Sequence, residues 1–171
     1  MIKKRKYLSN QAQAIVEFAI ALPILLAIII GIFEVGRLIF IYSAVTNSSR
    51  NAVRYASAVG FDDSGTYRKY MYCDGIKNVA IQSAYLVPAS NLTITITYDE
   101  GPGTSTIVTG GCNAAGGEDS DVLNAGVSTG DRVKVTVAAQ YKPMLKLIPI
   151  PSRTITSSSS RTILGIIDLD N

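Results

Sequence analysis

Gln13-Ala-Ile-Val-Glu-Phe-Ala-Ile-Ala-Leu-Pro-Ile-Leu-Leu-Ala-Ile-Ile-Ile-Gly-Ile-Phe33 decides the fold. From Ala14 to Phe33 it runs for twenty residues with Glu17 as the single charge. A helix rises 1.5 Å per residue, so this run spans about 30 Å, the thickness of a bilayer core. A carboxylate in hydrocarbon costs roughly 2.5–3.5 kcal/mol even on lenient insertion scales. Glu17 therefore needs a partner, a job, or a route by which its head snorkels to the cytoplasmic headgroups, since it lies early in the run. Pro23, inside the run, removes one backbone hydrogen bond and is expected to bend the helix.

The cluster Lys3-Lys4-Arg5-Lys6 precedes the run, and no comparable basic cluster follows it. By the positive-inside rule the amino terminus is cytoplasmic and everything from about Arg37 is exported. A cleavable secretory signal is the competing reading, but the run is longer than a signal core and no small-x-small site ends it. Beyond Phe33 the helical rhythm persists: Leu38, Ile41, Val45, Ala52 and Ala56 recur at apolar spacing, with Asn47, Arg50, Asn51 and Arg54 on another face. Glu34 and Arg37 lie one turn apart and can pair at the membrane edge. The expectation is one helix of about 40 residues, half in lipid and half supporting an exported domain. Arg50 and Arg54 read either as a solvated face or as a subunit contact.

At 171 residues the chain has room for this helix and one modest extramembrane domain. It holds no His and no Trp, so it lacks the commonest general base and the commonest neutral metal ligand. Four of the sixteen basic residues stand in the first six positions; without them twelve Lys and Arg face thirteen Asp and Glu, a balance of −1. That body has no general pull toward nucleic acid. Cys73 and Cys112, both in the exported part, read as a disulfide closing a loop of about 40 residues, worth ~3–4 kcal/mol in the chain-entropy model. Two buried thiols are the alternative. Two thiols without His make a poor metal site, and no cofactor is expected.

Gly60 to Gly65 breaks the helix, and Thr66 to Leu86 reads as a second, less regular one, weakened by Gly75 and stopped near Pro88. Leu92 to Tyr98 alternates strictly, with Leu92, Ile94, Ile96 and Tyr98 on one face and threonines on the other. Gly101-Pro102-Gly103 makes a turn from which Thr104 to Thr109 can return as a hairpin partner. Gly110 to Gly130 is a loop. Asp131 to Tyr141 is a second strand with Val133, Val135, Val137, Ala139 and Tyr141 inward. Pro143, Pro149 and Pro151 mark an irregular excursion. Ser152 to Ile163 returns as a Ser/Thr-rich strand toward the sheet edge. The carboxylates of Glu118-Asp119-Ser120-Asp121 are crowded but match no calcium-loop spacing, and a solvated turn is expected. The whole is an α+β layout: a long amino-terminal helix, its first half transmembrane, packed by its second half against a small antiparallel sheet.

Gln13-Ala14-Ile15-Val16-Glu17-Phe18-Ala19, Leu22-Pro23, Gly31, Glu34, Gly36-Arg37, then Val45-Thr46-Asn47, Arg50, Ala52 and Arg54-Tyr55-Ala56 closely resemble the TadE-like family. These are pseudopilins of the tight-adherence (Flp-type) branch of type IV pilus machines. The resemblance covers about 50 residues, Gln11 to Ala58; beyond it only the layout is similar. It implies cleavage by a membrane-embedded prepilin peptidase between Ala12 and Gln13, with Ala12 standing where the family usually has Gly. Residues 1–12 would be a leader, 13–59 the long helix and 60–171 the exported head. It also implies a role for Glu17 as the fifth mature residue, whose carboxylate meets the free amino terminus of a neighbouring subunit. Phe18, Pro23, Glu34 and Arg37 would belong to the same subunit-assembly surface.

The resemblance thus implies a non-enzymatic minor pseudopilin whose partners are the membrane, the peptidase and other pilin subunits, in the cytoplasmic membrane or an extracellular pilus. The size of the head supports a minor role; a filament-forming pilin with a large decorated head is the alternative. An exported enzyme finds no constellation to carry it. A monomeric anchored binding protein would not need Glu17 for assembly.

Overall fold

The computed structural model describes residues 5–62, 65–85, 87–104, 112, 126–143 and 151–165, with the backbone alone through Gln11. Helix α1 runs without a break from Arg5 to Ala56, with Pro23 inside it. It starts earlier than the apolar run requires, because Arg5 to Ala12 holds no Gly or Pro and is rich in good helix formers. The chain divides into two compact units, Met1–Ile39 and Phe40–Asn171.

In the first unit α1 presents apolar side chains in every direction. Ile15, Phe18, Ile20, Ile24, Ile32 and Phe33 are all exposed. The most apolar stretch has a mean hydropathy of 2.8 over 18 residues with none of it buried, long and apolar enough to cross a membrane. A helix that is hydrophobic all round cannot be solvated by water on any side.

In the second unit the same helix becomes one wall of a core. Its last turn carries Arg54, a cation at the negative end of the helix dipole, and it ends before Gly60, whose φ of 118° few side chains tolerate. Helix α2 spans Cys73–Ser83, shorter than the expected Thr66 to Leu86. The reason is Asp62: its Oδ1 accepts hydrogen bonds from the backbone N–H groups of both Thr66 and Tyr67 at 2.9 Å. With the Phe61–Arg68 bridge, these bonds tie Thr66, Tyr67 and Arg68 back to Phe61 and Asp62, an arrangement that competes with helix. Gly75 is required rather than disruptive. A Cβ there would collide with the Tyr72 ring and stand 2.8 Å from the Tyr55 hydroxyl.

A short 3₁₀ turn, Ala89–Asn91, leads into β1 (Leu92–Asp99), followed by β2 (Arg132–Tyr141) and β3 (Arg153–Thr162). They form an antiparallel sheet in the order β1-β2-β3. Ile96 lies opposite Val135 and Val135 opposite Ser159, which fixes one inward face across all three strands. Val133, Val135, Val137, Ala139 and Tyr141 are buried, as the period-two pattern requires. That face packs on Val45, Ala52, Val53 and Ala56 of α1 and on Ile76 and Ala80 of α2. The outward face is threonine- and serine-rich; on it Asp99 grips Arg132 through two parallel hydrogen bonds, 2.7 and 3.0 Å. That hydrogen bond holds the guanidinium above its ordinary pKa, against the opposing effect of desolvation.

Cys73 and Cys112 are joined, with Cα atoms 5.3 Å apart, and both are buried in the core. The Tyr98 hydroxyl donates to the Tyr70 carbonyl at 2.6 Å and lies 3.7 Å from the Cys112 sulfur. Of the strand expected from Thr104 to Thr109, all but Thr104 lies outside the described residues. So do most of the 110–130 loop, with Glu118-Asp119-Ser120-Asp121, and the middle of the proline-rich excursion.

Candidate assembly site

The residues expected to act in assembly fall into two groups along the first unit of α1. Ala12, Gln13, Glu17, Phe18 and Pro23 are all exposed. Gln13 and Glu17 stand four residues apart on one face, and the Gln13 carboxamide donates to a Glu17 carboxylate oxygen at 3.1 Å. This bond supplies one donor to a group whose oxygens accept about four. The surrounding surface is apolar: Ile15 is 69% exposed and Phe18 63%. A carboxylate with so few donors on a lipid-compatible surface is costly until a further donor or a cation reaches it.

Glu34 and Arg37 form the second group. Arg37 Nη1 lies 3.2 Å from Glu34 Oε1, and Glu34 is buried, 8% exposed. Within the chain this pair neutralises two charges at the carboxyl end of the apolar run, so a helix with so few polar residues carries no net charge there. Among the described residues Glu17 and Glu34 thus differ in their partners: one has an amide donor, the other a guanidinium.

The head supplies a feature that the sequence patterns did not join. Exposed Arg50 and Arg54 of α1 and exposed Arg161 of β3 line one open cleft of about 560 Å³. Sequence reading placed Arg50 and Arg54 on one helix face, but nothing local ties them to a strand near the other end of the chain. Only the β2–β3 register brings Arg161 there, because it fixes which β3 residues face the helix. Beside it, Ser49 Oγ meets Ser157 Oγ at 3.2 Å and Ser159 Oγ at 3.0 Å, pinning α1 to the edge strand through hydroxyls. Ser48 Oγ donates to the Ala80 carbonyl at 2.6 Å, pinning the same helix to α2. Among the described residues no group of His, Cys, Asp and Glu side chains is arranged to hold a metal ion.

Residues 12–54 match the family model described as TadE-like protein. The matched stretch takes in Glu17, Glu34, Arg37, Arg50 and Arg54 and ends just short of the end of α1. It supports a TadE-like protein associated with the Tad/Flp pilus. Comparison with curated proteins and with solved structures gave no match.

Proposed function

We propose, on the premise that residues 12–54 are TadE-like, that this chain is a non-enzymatic minor pseudopilin of a Tad-type pilus or its assembly machinery. The membrane-embedded prepilin peptidase would cut between Ala12 and Gln13. Cleavage removes the basic leader and creates an amine at Gln13, with Glu17 as the fifth mature residue. The observation that carries the reading is the Glu17 carboxylate on an exposed, largely apolar helix surface, where the Gln13 carboxamide donates to it at 3.1 Å. A neighbouring subunit's amino terminus supplies the missing cation. Two charges removed from lipid together offset each other's desolvation, and the pairing sets the axial register between helices. Glu34, already paired with Arg37 in the chain, leaves Glu17 as the acid available for this contact. The cleaved chain stays anchored with its head exported.

The test separates assembly from folding. Glu17→Gln keeps the shape and the hydrogen bond but loses the charge, so the head should retain its stability while recovery of the subunit in assemblies falls about tenfold or more, as for loss of a buried charge pair. Normal incorporation of that variant would remove the pairing. Intact mass of the assembled protein should give an amino terminus at Gln13; a retained leader would remove the cleavage step. The Thr/Ser-rich outward sheet face suits a water-facing filament surface and favours a second reading, a filament-forming pilin. High abundance in sheared filaments would select it.

A further inference from the structure

The head carries unspent positive charge in one place. The cleft between α1 and β3 is lined by Asn47, Arg50, Asn51 and Arg54 on the helix and by Ser159 and Arg161 on the strand, with no carboxylate among the described residues that form it. Arg132, by contrast, is held by Asp99, and Arg37 by Glu34. The exported body is close to neutral overall, so three guanidinium groups lining one cleft with no acid among the described residues is a local arrangement and not the reflection of a basic surface.

We infer that this cleft receives an extended acidic peptide segment of a neighbouring protein subunit, which lies along β3 and places its carboxylates on Arg50, Arg54 and Arg161. The cations are all arginines, whose planar forks match carboxylates bidentately. Besides the apolar Val53, the remaining lining is the amides of Asn47 and Asn51 and the hydroxyls of Ser159 and Ser160, groups that both donate and accept. That suits a peptide backbone better than a phosphate headgroup, which only accepts. The strand is the second support. β3 is the last strand of the sheet, and among the described residues its outer edge pairs with nothing, leaving a ladder of backbone donors and acceptors continuous with the cleft. Edge strands of this kind take peptides by strand addition, with side-chain pockets supplying specificity. The site is in the head and does not depend on helix-to-helix assembly.

The experiment uses the full-length protein in detergent micelles and a fluorescein-labelled decapeptide of alternating Thr and Glu, followed by fluorescence anisotropy. Binding should be salt-sensitive and should weaken about tenfold or more in Arg50→Gln/Arg54→Gln and in Arg161→Gln, the loss expected for charge-assisted hydrogen bonds. A peptide with Gln in place of Glu should fail to bind. So should one N-methylated at alternate residues, which keeps the charge and loses the ladder. Unchanged disulfide pairing and circular dichroism in the variants show that the head still folds. Glu17→Gln should bind the peptide normally, so failure here and failure of the helix-pairing proposal remain distinguishable. Equal binding of the Gln peptide, or indifference to all three arginines, overturns the inference. Displacement of the peptide by glycerol phosphate at lower concentration than by glutamate also overturns it and reassigns the cleft to a lipid headgroup.

Discussion

Residues 12–33 and 44–56 belong to one helix and are built on different rules. In the first stretch hydrophobicity has no direction: exposed Ile, Leu, Val and Phe surround the axis. In the second it has a strict direction. Ala44, Val45, Ser48, Ser49, Ala52, Val53 and Ala56 are buried at three- and four-residue spacing, while Asn47, Arg50, Asn51 and Arg54 are exposed. The first pattern suits a solvent that is itself apolar, whether lipid or other helices. The second suits one packed face and one wet face. The side chains differ in size as well. Long aliphatics cover the exposed surface of the first stretch, whereas alanines, valines and serines make up the buried face of the second.

Moving one charge between the two stretches is the strongest way to break this comparison. Ala52→Asp places an unpaired carboxylate at a fully buried position against the sheet. A loss of about 3–5 kcal/mol is expected, comparable to the whole stability of a small domain. Ala19→Asp, on the exposed apolar surface, should change head stability by no more than about 0.5 kcal/mol. Its cost, roughly 2.5–3.5 kcal/mol, falls on membrane insertion. Urea unfolding followed by tyrosine fluorescence reads the first quantity, and membrane fractionation reads the second. If Ala19→Asp unfolded the head, the two stretches would not be serving separate solvents.

The disulfide gives the next largest effect and sharpens the same contrast. Cys73 begins α2 and Cys112 is fixed in the core, so reducing them releases a long loop within the head. A loss of ~3–4 kcal/mol is expected from loop entropy. Thermal unfolding of Cys73→Ala/Cys112→Ala should show it, with membrane association of α1 unaltered. A double variant as stable as the parent would mean that packing around Tyr70, Tyr98 and Ile76 holds the segment at position 112 in place without the bond.

What was legible in the sequence follows from which forces are local. The alternation in Leu92 to Tyr98 and in Val133 to Tyr141 announced strands and their inward faces, because side chains in a strand must alternate. The long helix was legible because its apolar rhythm continues beyond Phe33, and it runs through Pro23 without a break. The second helix was overdrawn at its start. The side chain of Asp62 captures the amides of Thr66 and Tyr67, a choice that helix propensity does not register. Of the candidate site, the Glu34–Arg37 pair was legible from its spacing, whereas the Gln13–Glu17 hydrogen bond emerged only in the structure. The arginine cleft was not legible, since its geometry depends on the register of β3 on β2, a long-range property.

The smallest effect tests how the second stretch of α1 holds the sheet. Its centre is apolar, but at the β3 edge the contact is a knot of hydroxyls: Ser49 meets Ser157 and Ser159, and also donates to the Thr46 carbonyl at 3.1 Å. Ser49→Ala removes one hydroxyl while Ser157 and Ser159, half-buried on the edge strand, can turn to water. The expected cost is therefore near the ordinary net value of a hydrogen bond, about 1 kcal/mol, and not the larger penalty of a stranded buried group. Thr46→Ala removes a hydroxyl bonded only to the Tyr42 carbonyl of its own helix. It should cost less than about 0.5 kcal/mol. Denaturant midpoints of the two variants give the ratio directly. Equal midpoints would place the hold on β3 in the apolar contacts around Val45 and Val53. A Ser49→Ala loss above about 3 kcal/mol would mean that the edge strand depends on the knot, and the arginine cleft beside it would then deform with it.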